Sequence, residues 1–589
     1  MNTKALFGLA LLAAPCLVSC SVEDQELPAE ELYARQFYKE FGLVDKNQDW
    51  NVVEQKSLTF DVANPTHVKI YELQGDEYRL AADYENVTNG QTITFDGMEG
   101  DDESFIVSLD GIVMTAKNGE TVSLKTSASG IRRTSVIPKD DSQVSITDSY
   151  KEISLLTTQD DVMNNLGKDG ESHIKALQQS DILMQKSVSP YHTYYPVYWN
   201  SKNKHEVGIF YYDNQVVKTI PVYKDHEGDE LQYYFKPNEG TSGEEGFKSV
   251  TSDKCTSLDG YTVDWTKGVK AKGFKVQLNT EGQLYGIYVK IGEKTYYSLA
   301  SLNDDKKPHF AYHSYRSTDG ETMNTYIMFD DPSENGGDGD GDYNDLVLYV
   351  PEKLSPISDQ EIGWTVACED LGGTYDFDFN DLVFRVYHTS GYDYLTIVPV
   401  AAGGTLPAYL QFTSVDGKAA FKEWHTYFGN GYDSGTMINT SSLTETNNNT
   451  IIVLNGVGTS FSMATLANKG SDAGGLSVEV VQKNGSTGGT TTHVIYGADP
   501  NNPTATPQML VLPLNWKWPK ELVHIKNVYT GNGTIPSFMD WVSDKTKTAW
   551  TNYNNGDVLY FEGTNYIKVD LHEVGEIDES PVHGGTDTK

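Results

Sequence analysis

Between Pro28 and Phe41 the aromatic residues Tyr33, Phe37 and Phe41 recur every fourth position, which puts three rings on one helical face, and Gly42 follows as a stop. The spacing predicts a short helix. From 58 to 129 the period changes to two. His67-Val68-Lys69-Ile70-Tyr71 and Thr92-Ile93-Thr94-Phe95 alternate, and the turn pairs Asn89-Gly90, Asp110-Gly111 and Asn118-Gly119 break the runs. This predicts a small β-sandwich domain. Residues 130–190 are more polar and read as a connector, with a helix expected between Asp160 and Lys186. Alternation returns over 191–354, as in Val207 to Asp213 and Leu284 to Lys290, and again over 355–575, which carries long Asn, Gly and Thr loops. The tail 576–589 reads as disordered. The fold class expected is mainly β and multi-domain, with β-sandwich-like units, a short N-terminal helix and a helical connector.

The chain opens with one lysine, Lys4, and an apolar run from Ala5 to Val18 that is too short to cross a bilayer as a helix, so residues 1–19 read as a signal peptide. Leu17-Val18-Ser19-Cys20 resembles the lipobox of bacterial lipoproteins, which implies that Cys20 receives a diacylglycerol and anchors the chain to a membrane. The acidic run Glu23-Asp24-Gln25-Glu26 resembles the surface-export signal of Bacteroidetes lipoproteins, which implies the outer face of an outer membrane. Residues 20–57 are therefore expected to form an acidic tether followed by the short helix.

A chain of 589 residues calls for several cores. The formal net charge of -38 disfavours nucleic acid and charge-driven adhesion to an anionic bilayer, both of which need basic patches, and favours cations. Cys16 leaves with the signal and Cys20 is the lipidation site, so only Cys255 and Cys368 remain in the body, and no disulfide framework is present. Whether those two pair is open at this level.

One internal repeat carries most of the chemical information. Asp340-Gly341-Asp342-Tyr343-Asn344-Asp345-Leu346-Val347 recurs as Asp376-Phe377-Asp378-Phe379-Asn380-Asp381-Leu382-Val383, and each copy follows an acidic pair, Asp330-Asp331 or Glu369-Asp370. Three aspartates within six residues, running straight into an apolar strand, repel one another. At about 4 Å the cost is roughly 1 kcal/mol per pair in water and several times that at lower effective dielectric. A divalent cation would remove that cost. Carboxylates, an asparagine amide and loop carbonyls are the oxygen donors that Ca2+ accepts in flexible geometry, whereas zinc would want His or Cys. The candidate ligands are Asp340, Asp342, Asn344, Asp345 and Asp331 in the first copy, and Asp376, Asp378, Asn380, Asp381 and Asp370 in the second. Neither copy is an EF-hand, since Asp345 and Asp381 stand where its glycine would be. The competing reading is a solvated turn in which Asp and Asn cap the backbone. Asp45, Asn47 and Asp49 form a weaker candidate of the same kind without a repeat partner.

From Trp364 to about Leu571 the chain resembles the LruC-domain family of bacterial surface lipoproteins. The motifs are Cys368-Glu369-Asp370-Leu371-Gly372, Tyr375 to Phe384, Trp424-His425-Thr426-Tyr427-Phe428-Gly429, Met437 to Thr440, Trp516 to Glu521 and Phe538-Met539-Asp540-Trp541. The preceding unit, with Asn303-Asp304 and Phe329 to Val350, looks like a related acidic-loop β domain of secreted bacterial proteins. The resemblance implies an outer-membrane location and calcium binding. It implies no activity.

No G-x-S-x-G, H-E-x-x-H, C-x-x-C or phosphate-cradling loop is present, and His309 and His313 read as packing or surface residues. The function expected is a non-catalytic surface protein that binds a glycan or a protein ligand on a calcium-stiffened scaffold. An accessory role in a surface assembly and a polysaccharide hydrolase are the other readings the residues leave open.

Overall fold

The computed structural model describes most of residues 27–558. Outside the described residues lie 1–26, 125–131, 136–143, 154–177, 186–191, 200–204, 225–230, 250–256, 278–283, 317–322, 334–338, 439–450, 471–475, 484–488, 559–589 and shorter stretches, Asp340 and Cys255 among them. Strands hold 50% and helices 11% of the structure, spread over several sheets, so the fold is mainly β as the alternation predicts. The lipidation candidate Cys20 and the acidic run after it fall outside the described residues, as does most of the expected connector helix. The four residues of that span that are described, 178–179 and 184–185, are extended. Gln178–Gln179 pairs with Phe310–Arg316 and Met184–Gln185 pairs with Leu284–Ile291, because open sheet edges offer backbone partners there.

The N-terminal helix α1 spans Ala29–Phe41, with Glu30 and Glu31 in its first turn and Gly42 after its last residue at φ 76. Tyr33, Phe37 and Phe41 are all buried, as their four-residue spacing predicts. Their burial is tertiary. The three rings pack on Trp50, Phe377 and Phe538, and the carbonyl of Val511 accepts the N–H of Val52. The helix expected after the tether is thus built into the C-terminal core, since three exposed rings would forgo roughly 1.5–3 kcal/mol of burial each.

One apolar core is continuous through residues of 33–124 and 362–558, and a second is built from residues between 153 and 354. A smaller cluster joins Tyr71, Tyr78, Ile106 and Val113 to Phe210, Tyr288, Tyr297 and Ile357. Two sheets matter for the acidic loops. In the first, strands β1 (Met323–Phe329) and β2 (Leu346–Val350) pair antiparallel, with Phe329 opposite Leu346. In the second, β3 (Gly363–Cys368) and β4 (Leu382–Tyr387) pair antiparallel, with Cys368 opposite Leu382. β3 also pairs with Met509–Pro513, and β4 with Tyr394–Ala401.

Candidate metal centre

The two copies of the repeat occupy the same place in the two sheets. In each, the acidic pair leaves the end of one strand, directly after Phe329 or Cys368, and the D-x-D-x-N-D run enters the antiparallel neighbour at Leu346 or Leu382. Strand pairing therefore pulls the upstream acids against the downstream ones.

Backbone conformation does the rest. In the second loop Tyr375, Phe377 and Phe379 have φ of 52, 51 and 53, while the acids between them do not adopt the left-handed region. At the matching positions of the first loop Gly339, Gly341 and Tyr343 have φ of 72, 75 and 55. A left-handed conformation costs about 1–2 kcal/mol for a side chain with Cβ and almost nothing for glycine. The first loop meets the requirement with glycines at two of three positions. The second uses three aromatic residues, and it offsets the strain by burying Phe377 and Phe379 completely.

The carboxylates gather as a result. Ligand oxygens of Asp330, Asp342 and Asp345 lie within 4.8 Å of one another, and so do those of Glu369, Asp376 and Asp378. Asp342 and Asp378 each accept the N–H of the asparagine two residues on, at 3.0 and 3.2 Å. Asp330 accepts the N–H of Gly341 at 3.0 Å, and Glu369 that of Phe379 at 2.7 Å. Asp331 and Asp370 have a different task. Their own N–H groups donate to Asp345 and Asp381 at 2.6 and 2.7 Å, and their carboxylates accept from the backbone of Ser333 and Gly372. Consecutive side chains of an extended segment face opposite ways, so only the first acid of each pair joins the gathered carboxylates. Asp330 and Glu369 are thus the residues that the ligand set read from the sequence left out, although both stood in the acidic pairs. Asp340 lies outside the described residues.

The second cluster is electrostatically costly. Burial, with the neighbouring Asp376 and Glu521, pushes the Asp378 carboxyl up to about 9. Burial and the facing Asp381 and Asp378 raise that of Glu369, while burial and Asp376 bring Glu521 to about 7. Among the described residues, none of Glu369, Asp370, Asp378, Asp381 and Glu521 takes part in an ion pair. Asn380 is wholly buried, and its Oδ1 has no hydrogen-bond partner among the described residues. A buried acceptor left unmade costs on the order of 1–3 kcal/mol. An all-oxygen donor set with an orphaned amide oxygen fits a hard divalent cation of calcium type, and among the described residues no thiol or imidazole joins either cluster.

The third candidate loop is answered by a lysine. Lys545 Nζ contacts Asp49 at 2.5 Å and Glu99 at 3.3 Å, and the Lys545 N–H donates to Asp45. Asp45, Asn47 and Asp49 therefore form a turn in which Asp45 accepts backbone N–H groups and Asp49 pairs with an ammonium group. His309 is a packing residue, edge-on to Tyr296 at 5.1 Å and bonded to Asp305, in line with its sequence reading. Cys368 is a free, buried thiol at the end of β3.

Residues 267–353 match the model of a domain of unknown function, DUF4114. The match contains the first acidic loop with β1 and β2 and stops short of the second. No curated protein matches the chain.

Proposed function

We propose that this chain is a non-catalytic lipoprotein of a bacterial cell surface, anchored through Cys20, in which calcium bound at the two repeated loops braces β domains that present a ligand surface for a glycan or a protein. In this reading residues 364–571 group with the LruC-domain lipoproteins. The observation that carries it is the recurrence of one loop at two equivalent strand junctions, each gathering three carboxylates whose oxygens lie within 4.8 Å of one another. Tyr343 and Phe379, non-glycine residues at matching positions of the two loops, are held in the left-handed region, a strained conformation of the kind that clusters at ligand sites, which supports the reading. Asp342, Asn344 and Asp345 with Asp330 would hold one ion, and Asp376, Asp378 and Asn380 with Glu369 the other. The ion would supply the charge that lets these side chains stay ionised and close together.

Calorimetric titration of the chelator-treated protein with CaCl2 tests the reading. Two ions per chain are expected, and Asp342→Ala and Asp378→Ala should each remove one, whereas Asp24→Ala in the tether should change nothing. No binding at millimolar calcium, together with chelator-insensitive melting, would make both loops solvated turns. For the anchor, Cys20→Ser should abolish palmitate labelling and release the protein from the membrane fraction; retained label would place the anchor elsewhere. Protease shaving of intact cells checks surface exposure, and a glycan array run in calcium checks the ligand class.

A further inference from the structure

We propose that Glu521 is a ligand of the second site, so that the cation there clasps the C-terminal segment carrying Trp516, Trp518 and the helix Ile525–Val528 onto the loop at the end of β3. The inference rests on the calcium reading and extends it to a residue far along the chain from the repeat.

Several observations converge on this one carboxylate. The residue after it, Leu522, stands at φ 62 and donates its N–H to Asp378 Oδ2 at 2.9 Å, so a left-handed turn fixes the segment directly against an acid of the loop. Asn380 bridges the same gap. Its amide nitrogen donates to the carbonyl of Pro519 at 3.3 Å and to the Glu521 carboxylate, and its backbone N–H donates to Asp378. The amide oxygen left over on this wholly buried side chain is the partnerless atom of the site. Glu521 Oε2 is likewise enclosed and without a hydrogen-bond partner among the described residues. Two orphaned oxygen acceptors, from segments that meet only in the fold, thus belong to side chains that neighbour Asp378, one of the three gathered carboxylates.

One amide donor, Asn380, does not answer the repulsion between Glu521 and the neighbouring Asp376 and Asp378. A divalent cation does, because it takes six to eight oxygens and prefers them from several chain segments with some freedom of approach. The clasp has structural consequences beyond the loop. Ile525 donates its N–H to the carbonyl of Phe377, and Trp516 and Trp518 are buried in the same core as Phe377 and Phe379. Among the described residues, the carboxylates gathered at the first site, Asp330, Asp342 and Asp345, all come from its own loop. The two sites should therefore differ in affinity and in what their loss releases.

The test uses the full chain, chelated and titrated with CaCl2, as wild type and as Glu521→Gln, which keeps size and hydrogen-bonding capacity. Glu521→Gln should weaken one of two binding events at least about tenfold and leave the other as in wild type, the intact event showing that the variant is folded. Hydrogen exchange of 516–528 in wild type should be slowed by calcium, and the slowing should need more calcium in the variant. Two unchanged binding events in Glu521→Gln would remove Glu521 from the site while leaving calcium binding at the loops in place. A wild-type chain that binds no calcium would overturn the underlying reading as well. Should Glu521→Gln fail to fold, Glu521→Asp replaces it. The shortened carboxylate should lower the affinity of the same event, and an unchanged titration would again exclude Glu521.

Discussion

Tyr33 and Phe377 meet edge to face with their ring centroids 5.2 Å apart, one ring from the first helix and the other from between Asp376 and Asp378 in the second acidic loop. The contact ties helix docking to loop conformation. Phe377 is held at φ 51 by rings on several sides, with Phe37 at 5.7 Å, Phe41 at 5.4 Å and His524 at 5.5 Å.

Truncating this ring should therefore do two things. Phe377→Ala is expected to destabilise the fold by about 3–5 kcal/mol, as for a fully buried phenylalanine, and to weaken calcium at the second site only. Tyr33→Phe, which removes the hydroxyl donating to the Pro507 carbonyl at 2.6 Å, should cost about 1–2 kcal/mol and leave calcium affinity near wild type. Denaturant unfolding with and without calcium separates the two variants. Equal calcium affinity in Phe377→Ala would mean that ring packing does not shape the loop.

Gly339→Ala should damage the first site selectively. The added methyl would sit at φ 72 and would run into the Asp330 carboxylate. Calcium titration is expected to show one ion per chain in place of two. A variant that still binds two would show that the loop tolerates a side chain at this position.

Stability in chelator should be ion-dependent. A cation that binds only the folded form adds about 2.7 kcal/mol at a hundredfold excess over its dissociation constant. Calcium is thus expected to raise the melting temperature and chelator to lower it, with Asp342→Ala and Asp378→Ala each showing part of the wild-type response. Scanning calorimetry at matched ionic strength checks this, and monovalent salt giving the same shift would point to charge screening.

Away from the loops, Glu361 should impose a pH slope. Its carboxyl is buried beside Thr389 and Tyr394, and burial pushes it up to about 7. A carboxyl raised on folding binds its proton more tightly in the native state. Its favourable contribution is present below the unfolded value near 4.5 and is lost as pH rises through about 7, up to roughly 3 kcal/mol in all. Glu361→Gln, neutral throughout, should flatten stability against pH in that interval. An unchanged slope would assign it to other groups.

Much of the architecture was legible from local pattern. Rings four apart made α1, alternation made the strands, and the repeated D-x-D-x-N-D run marked both places where carboxylates gather. These signals are local because helix and strand periods act through near neighbours. The helix expected between Asp160 and Lys186 lies almost wholly outside the described residues, and the short strands within that span, Gln178–Gln179 and Met184–Gln185, are held by pairing with distant strands that no local pattern records.

By itself the sequence determined the β class, the aromatic face of the first helix, the strong negative charge and the acids available at each loop. Only the tertiary structure decided which acids face one another. Strand pairing set Asp330 and Glu369 among the carboxylates while Asp331 and Asp370 turned to cap backbone, and it left a lysine from the far end of the chain on Asp49. It also buried the first helix in the C-terminal core and carried Glu521 to the second loop. The physical reason is that charge repulsion and ring burial act over a few ångströms of space, whatever the distance along the chain, and a linear pattern carries no record of which segments the fold brings that close.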